Sequence, residues 1–98
     1  ILKYEWDEEK NINNFEKHKV WFEEAQAIWI DEKAREFYDH DHSDTEERWV
    51  RIGVNSMKGI LVAFFCERDN GESIRIISAR TATADEKMFY WFGENYEK

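Results

Sequence analysis

Arginines at three points along the sequence could hold an anionic group such as a phosphate. Arg75 and Arg80 lie on a predicted strand, Ile74 to Arg80, that leads directly into a capped helix, and Arg48 lies at the entrance of an earlier strand. A guanidinium stays charged at physiological pH, and its planar fork matches two phosphate oxygens. Strand alternation places Arg75 and Arg80 on opposite faces, unless a bulge or the strand end reorients Arg80. We therefore favour Arg48 and Arg80 as the pair in one site.

The stretch from Asp39 to Asp44 contains two histidines that could bind a metal. On a strand, His40 and His42 would point to one side, and the Asp44 carboxylate could join them. No cysteine and no third histidine lies nearby. The sequence therefore favours the alternative, an acidic strand end with two exposed histidines, and we predict no metal and no cofactor.

Composition predicts one domain over residues 1–98 with an uneven charge. The net charge is −8, and residues 31–47 hold eight acids against two bases, a balance of −6. A protein that binds nucleic acid by itself usually shows the opposite bias, so this segment could repel nucleic acid or meet a basic protein. The single cysteine, Cys66, lies in an apolar run and is expected to be a buried thiol, which fits a reducing cytoplasm. No segment is long enough to span a membrane.

Hydrophobic periodicity predicts a strand and two helices in the first third of the chain. The strand covers Leu2 to Trp6, helix one runs from about Glu8 to His18, and helix two covers Phe22 to Ile30. On helix one, Ile12 and Phe15 are expected to face the core, opposite a polar face.

Four strands and a final helix are predicted for the rest of the chain. The strands cover Arg35 to His42, Glu46 to Asn55, Ile60 to Cys66 and a stretch from Ile74, and the helix covers Ala84 to about Tyr96. The run Ile60 to Cys66 is apolar at nearly every position, so both of its faces should be covered. Short links and an Asn-Gly turn indicate an antiparallel β-meander with all helices packed on one face, an α+β domain. The apolar last helix is either deeply packed or also covers a partner.

Short motifs follow one another in a fixed order from Tyr4 to Tyr90. They include Trp6-Asp7-x-x-Lys10, Lys17-His18, Phe22-Glu23-Glu24-Ala25, Asp41-His42-Ser43, Glu46-Glu47-Arg48 and Arg75-Ile76-Ile77-Ser78-Ala79-Arg80. Together they resemble the BrnT family, the toxin half of a bacterial type II toxin–antitoxin pair. The family commonly has glycine after Lys-His and a small residue before Phe-Glu-Glu, where this chain has Lys19 and Trp21.

The resemblance implies a RelE-like ribonuclease fold and cleavage of RNA that inhibits translation and growth. It also implies neutralisation by a cognate antitoxin that binds DNA, so DNA would be a partner only indirectly, through the antitoxin. No membrane partner is expected, and the location is expected to be the cytoplasm. The alternative is a non-catalytic module, a degenerate relative that only binds the antitoxin.

Metal-independent RNA cleavage needs a base for the 2′-hydroxyl, an acid for the leaving 5′ oxygen, and cations for the charge on phosphorus. Histidine can be acid or base near neutral pH, a carboxylate can be a base, and an aromatic ring can stack on an unpaired base. The predicted catalytic residues are His18, Arg48, Arg80 and Glu47, with Glu46 as an alternative carboxylate. The predicted RNA-binding residues are Lys10, Lys17, Arg75 and Trp6. Each has a simpler structural explanation: ion pairing for the arginines, a helix cap for His18 and core packing for Trp6.

Overall fold

A computed structural model describes residues 1–93 as a five-stranded sheet with three α-helices. The strands are β1 (Lys3–Glu5), β2 (Arg35–Tyr38), β3 (Trp49–Asn55), β4 (Gly59–Arg68) and β5 (Ser73–Thr81). The helices are α1 (Glu8–His18), α2 (Phe22–Gln26) and α3 (Ala84–Phe92). The α+β class predicted from the sequence is confirmed. Within residues 1–93, no helix combines the length and the apolar composition needed to cross a membrane.

The sheet is mixed, with strand order β1-β5-β4-β3-β2. Strands β2 to β5 form antiparallel neighbours in chain order, but β1 pairs with β5 in parallel, with Lys3 beside Ser73 and Glu5 beside Arg75. The predicted all-antiparallel meander is therefore wrong at one edge. A parallel pair needs a long crossover rather than a hairpin, and the chain between β1 and β5 contains most of the domain.

Helices cover both faces of the sheet, so the prediction that all helices pack on one face is wrong. Leu61, Ala63 and Phe65 of β4 pack with buried residues of α2 and the segments beside it. Ile60 and Val62 point to the other face, where buried residues of β3 and α3 complete a second cluster. The prediction that β4 is covered on both faces is confirmed. Because side chains alternate between the two faces along β4, each face of the sheet offers an apolar surface to the helices that cover it.

The anchor of α3 on this second face is Tyr90. Its ring is buried, and its hydroxyl donates a 2.6 Å hydrogen bond to the Asp31 carboxylate, which also accepts from the Val54 amide. Burial and the neighbouring Asp31 charge raise the pKa of Tyr90 to about 12. The phenol therefore stays protonated and keeps donating across the neutral range.

Helix α1 has the predicted bounds but buries a different face. Asn11 and Asn14 are buried, whereas Ile12 is 47% exposed, so the prediction that Ile12 faces the core is wrong. The Asn14 amide donates to the carbonyls of Val20 (2.9 Å) and Ala79 (2.8 Å), and its oxygen accepts from the Ala79 amide (3.1 Å). The helix is thus attached to β5 by side-chain hydrogen bonds as well as by apolar contact.

A bulge between β4 and β5 changes which way the arginines point. Phe64 is level with Ser78 and Phe65 with Ile76, so β5 has one extra residue between these pairs. As a result Arg75, level with Cys66, and Arg80, level with Val62, both point to the face covered by α3. Strand alternation alone predicts Arg75 and Arg80 on opposite faces, which is wrong. The bulge, named above as the exception, places both on one face.

Several predicted boundaries shift because turns replace strand ends. The predicted strand Arg35 to His42 ends at Tyr38, and His40–His42 forms a 3-10 turn. The predicted strand from Glu46 begins at Trp49, and the predicted helix Phe22 to Ile30 breaks after Gln26 into the 3-10 turn Ala27–Trp29. The predicted end of the last helix, near Tyr96, lies outside the described residues.

Candidate functional site

An arginine cluster, formed by Arg48, Arg68 and Arg75, lies at one end of the sheet face that α3 covers. Arg75 is level with Cys66, and Arg68 is two residues further along β4 on the same face. Trp49 is level with Phe65, so Arg48, one residue earlier, is next to Cys66 on the other side. The buried cluster under α3 ends before this row. Three cations are therefore brought together from three neighbouring segments of the sheet.

Glu46 lies between these cations. Its carboxylate accepts hydrogen bonds from Arg68 Nε at 2.9 Å and Nη2 at 3.0 Å. These bonds, together with contributions that include a hydrogen bond from the Cys66 thiol and the nearby Arg75 charge, hold the pKa of Glu46 below its usual range. Burial and the charge of Glu46 raise the pKa of the Cys66 thiol, which is therefore a protonated donor at neutral pH. Glu46 is thus an ionised carboxylate held among arginines.

Among the described residues, Arg48 and Arg75 are less firmly paired than Arg68, which has two hydrogen bonds to Glu46. Within residues 1–93, Arg48 Nε is buried without a hydrogen-bond partner, and the Asp39 carboxylate lies 4.0 Å from it. Arg75 reaches Glu5 only at 3.9 Å, which is an ion contact without a hydrogen bond. The Arg48 and Arg75 side chains are 27% and 32% exposed, so both can be reached from outside the fold, and a guanidinium suits the oxygens of a phosphate.

His42 adds a proton-transfer group to the same end of the sheet. Its Nδ1 lies 3.1 Å from the carboxylate of Asp39, and that same carboxylate oxygen is the one near Arg48. A carboxylate on Nδ1 fixes the ring and leaves Nε2 available to an external group. The sequence predicts His42 as a metal ligand or as an exposed histidine, not as a proton-transfer group. The i, i+3 spacing of Asp39 and His42, just before Arg48, was the available signal.

The metal hypothesis is not supported by the side-chain positions. In the part of the chain that the structure describes, no group of three or more histidine, cysteine or carboxylate side chains is placed to hold a metal ion. His40 packs edge-to-face on Tyr38, while His42 pairs with Asp39. The 3-10 turn has replaced the strand that would have put both imidazoles on one side.

Arg80, the other favoured arginine, is engaged in a structural ion pair. Its guanidinium makes two hydrogen bonds to the Glu86 carboxylate, at 2.6 and 2.9 Å, and lies 5.5 Å from the centre of the Phe64 ring. Glu86 also accepts from the Thr83 amide in the capping box that begins α3. Arg80 is four β4 residues from the Arg75 row, about 13 Å at strand spacing. The structure therefore does not bring Arg80 together with Arg48.

We expect the Arg80–Glu86 pair to make stability depend on acid pH. Hydrogen bonds from Arg80 lower the pKa of Glu86 below its ordinary 4.5, so the pair stabilises the fold above that pH and is lost as pH falls through the lower folded pKa. Glu86→Gln should cost roughly 1 to 3 kcal/mol at pH 7 and progressively less in acid, measured by urea denaturation. The exposed Glu16→Gln serves as the control, with a change under about 0.5 kcal/mol. A loss of unfolding free energy in acid as large as the loss at pH 7 would contradict the prediction.

Four of the other predicted residues, all in or just before α1, lie away from the arginine cluster. Lys10, Lys17 and His18 are exposed on α1, which packs on the opposite face of the sheet. His18 ends the helix, before Lys19 at φ 60°, a left-handed conformation that favours glycine. Trp6 is half-buried, packs edge-to-face on Phe22 and donates to Glu8, so its contacts are those of a core residue.

Glu47 is exposed and is next in the chain to Glu46, which pairs with Arg68 of the arginine cluster. It borders an open concavity of about 450 Å³ with an acidic lining, formed by Glu46, Glu47, Trp49, Glu67, Asn70 and Gly71. An acidic lining repels phosphate. Glu46, which lines the same concavity while bonding to Arg68, is therefore better placed than Glu47 to act beside the arginines.

Comparison with known proteins agrees with the resemblance seen in the motifs. The family model described as "Ribonuclease toxin, BrnT, of type II toxin-antitoxin system" matches residues 6–86. The crystal structure of the Brucella abortus ribonuclease toxin, BrnT, has 25% sequence identity and a TM-score of 0.66, and the match covers 85% of this chain and 99% of that chain. No curated protein matches the chain.

Proposed function

The chain belongs to the BrnT family of ribonuclease toxins of type II toxin–antitoxin systems, and on that premise we propose that it cleaves RNA without a metal. Cleavage in the cytoplasm would inhibit translation and growth, and a cognate DNA-binding antitoxin would neutralise the toxin. We also propose that the fold is RelE-like. The observation that supports the catalytic part is the arginine cluster, in which the partly exposed side chains of Arg48 and Arg75 lie near Glu46 and the His42–Asp39 pair.

In the proposed reaction, Arg48 and Arg75 bind the scissile phosphate and stabilise the charge that builds up on its oxygens. Glu46, which is ionised at neutral pH, accepts the proton of the 2′-hydroxyl as that oxygen attacks phosphorus. Protonated His42 gives its proton to the leaving 5′ oxygen as the P–O bond breaks. The products are a 2′,3′-cyclic phosphate and a free 5′-hydroxyl. The arginines supply the positive charge that a metal supplies in other ribonucleases, so no metal is required.

A second candidate function is a binding module without catalysis. Two observations favour it. Glu46 already pairs with one member of the arginine cluster, and residues 31–47 carry a charge of −6, with eight acids and two bases, next to that cluster. Both features weaken the attraction of the site for RNA phosphates. In this case the chain keeps the antitoxin-binding role of the family and has lost cleavage.

Induction of the chain in bacteria, with and without its neighbouring open reading frame, separates the two functions. The ribonuclease predicts growth arrest with loss of intact messenger RNA, and rescue when the neighbour is present. A soluble, folded chain that causes no arrest would contradict the ribonuclease and favour the binding module. Cleavage by the purified protein should persist in excess EDTA, and loss of activity with chelator would contradict metal independence.

The three histidines of this chain allow a complete test of the proton-transfer group. We expect His42→Ala to lower kcat for cleavage of a synthetic RNA about 10²- to 10⁴-fold, as for loss of a general acid. His40→Ala, two residues away, is the matched control and should retain activity. His18→Ala tests the group predicted from sequence. A large loss with His18→Ala and none with His42→Ala would move the site to the α1 face and contradict the arrangement proposed here.

A further inference from the structure

Helix α3 carries large apolar side chains on the side turned away from its own sheet. Tyr90 is buried, but Trp91 is 60% exposed, Phe92 54% and Met88 38%. Met88, Trp91 and Phe92 have i, i+3, i+4 spacing, so they form one strip along the helix. Trp91 packs edge-to-face on Tyr90 and otherwise faces outward. Exposed tryptophan, phenylalanine and methionine side chains that lie together mark contact surfaces of proteins.

Phe89, three residues before Phe92 on the helix, joins this strip to the edge of the sheet. Phe37 of β2 is 40% exposed and packs edge-to-face on Phe89 of α3, with ring centroids 5.8 Å apart. Strand β2 is the last strand of the sheet on its side, and its outer edge pairs with no other strand among the described residues. We define the α3–β2 surface as Phe37, Met88, Trp91 and Phe92. It combines apolar anchors with a free strand edge.

The negative charge around this surface favours a basic partner. Strand β2 lies within residues 31–47, which hold eight acids against two bases. One of those bases, Arg35, is turned inward, where it donates to the Tyr90 carbonyl at 3.1 Å and lies over the Phe89 ring. A second copy of a chain with net charge −8 would be repelled, and so would RNA. A partner with lysines or arginines beside apolar side chains would be attracted.

We propose that the α3–β2 surface is the docking site of the antitoxin, through a segment with large apolar side chains flanked by lysines or arginines. The inference rests on the proposed function, because it takes the partner from the toxin–antitoxin pair. The arginine cluster lies on the same face of the sheet, one row beyond the cluster that α3 completes. A protein seated on α3 and β2 would therefore lie beside the catalytic arginines and shield them from RNA.

The test measures binding of purified chain to the purified product of the neighbouring open reading frame. We expect Trp91→Lys to weaken binding about tenfold or more. Ile12→Lys, at an exposed position of α1 on the opposite face of the sheet, is the matched control and should bind like wild type. Binding of the wild type should also weaken as salt rises from about 0.05 to 0.5 M, as expected for charge complementarity. Circular dichroism checks the fold, and Phe92→Lys replaces Trp91→Lys if the latter unfolds.

The outcomes separate this proposal from the ribonuclease proposal. Trp91→Lys should remain toxic and escape rescue by the neighbouring reading frame. One outcome is that the wild type cleaves no RNA and still binds the neighbour's product, while Trp91→Lys does not bind it. That result would support the docking site and contradict the ribonuclease proposal. Wild-type-like binding by folded Trp91→Lys and Phe92→Lys would overturn the docking site. It would also be overturned if the substitution only converts a dimer of this chain to a monomer, or only weakens RNA binding.

Discussion

Arg48→Ala is expected to lower the rate of RNA cleavage about 10²- to 10³-fold, the usual loss when one donor to the transition-state charge is removed. Its Nε has no hydrogen-bond partner among the described residues and lies 4.0 Å from the Asp39 carboxylate, so removing the side chain breaks one weak ion contact. The free energy of unfolding should therefore change far less than the activity does. Cleavage of a synthetic RNA by purified protein, with urea denaturation alongside, measures both quantities.

Two further substitutions serve as comparisons for Arg48→Ala. Arg48→Lys keeps the charge but loses the planar fork, so it should recover only part of the activity. Arg80→Ala removes an arginine on the same face of the sheet that is already bonded to Glu86, so it should lower stability and spare cleavage where the protein remains folded. If Arg80→Ala is as inactive as Arg48→Ala under those conditions, the pairing favoured from sequence is correct and the arginine cluster is not the site.

Asn14→Ala is expected to have the largest effect on stability, roughly 3 kcal/mol or more. The substitution leaves the Val20 carbonyl and both backbone groups of Ala79 without their buried partner, and each unsatisfied buried group costs about 1 to 3 kcal/mol. The whole free energy of unfolding of a small domain is about 5 to 15 kcal/mol. Urea denaturation at pH 7 should show the loss as a lower midpoint with an unchanged slope.

The adjacent Asn13 provides a matched control on the same helix. Asn13 is exposed, so Asn13→Ala should be neutral or slightly stabilising, because alanine has the higher helix propensity. Asn14→Asp keeps the acceptor for the Ala79 amide but loses the amide donors and buries a charge, so it should be at least as damaging as Asn14→Ala. A loss below about 1 kcal/mol for Asn14→Ala would show that these hydrogen bonds do not attach α1 to β5.

Local chemistry made much of the fold predictable. The bounds of α1 follow from Asp7, whose side chain accepts from the Lys10 amide, and α3 begins at the capping box of Thr83 and Glu86. The Asn-Gly turn after β4 has positive φ at Asn70 and Gly71, as that dipeptide indicates. Each of these signals involves residues only a few positions apart, so it can be recognised from the sequence alone.

Features set by distant residues could not be predicted. Asn14 is buried because its amide meets Val20 and Ala79, and nothing in α1 itself reveals those partners. The bulge that turns Arg75 and Arg80 to one face depends on how β4 and β5 pair. The candidate site depends on these pairings too. Sequence alone identified Arg48 and Arg75 as cations, but it could not show that Glu46 and His42 lie beside them while His18 does not.

The parallel pairing of β1 with β5 also determines when the sheet can be completed during synthesis on the ribosome. Lys3 is level with Ser73, so β1 meets its partner strand only after about 70 more residues have been made. Asn14 of α1 bonds to Ala79, which is 65 residues later in the chain, and Arg75 of the arginine cluster is translated in the same late segment. Synthesis proceeds from the N terminus at about 5 to 20 residues per second. A growing chain, or a fragment from a broken message that ends before β5, therefore lacks both the complete sheet and the complete site.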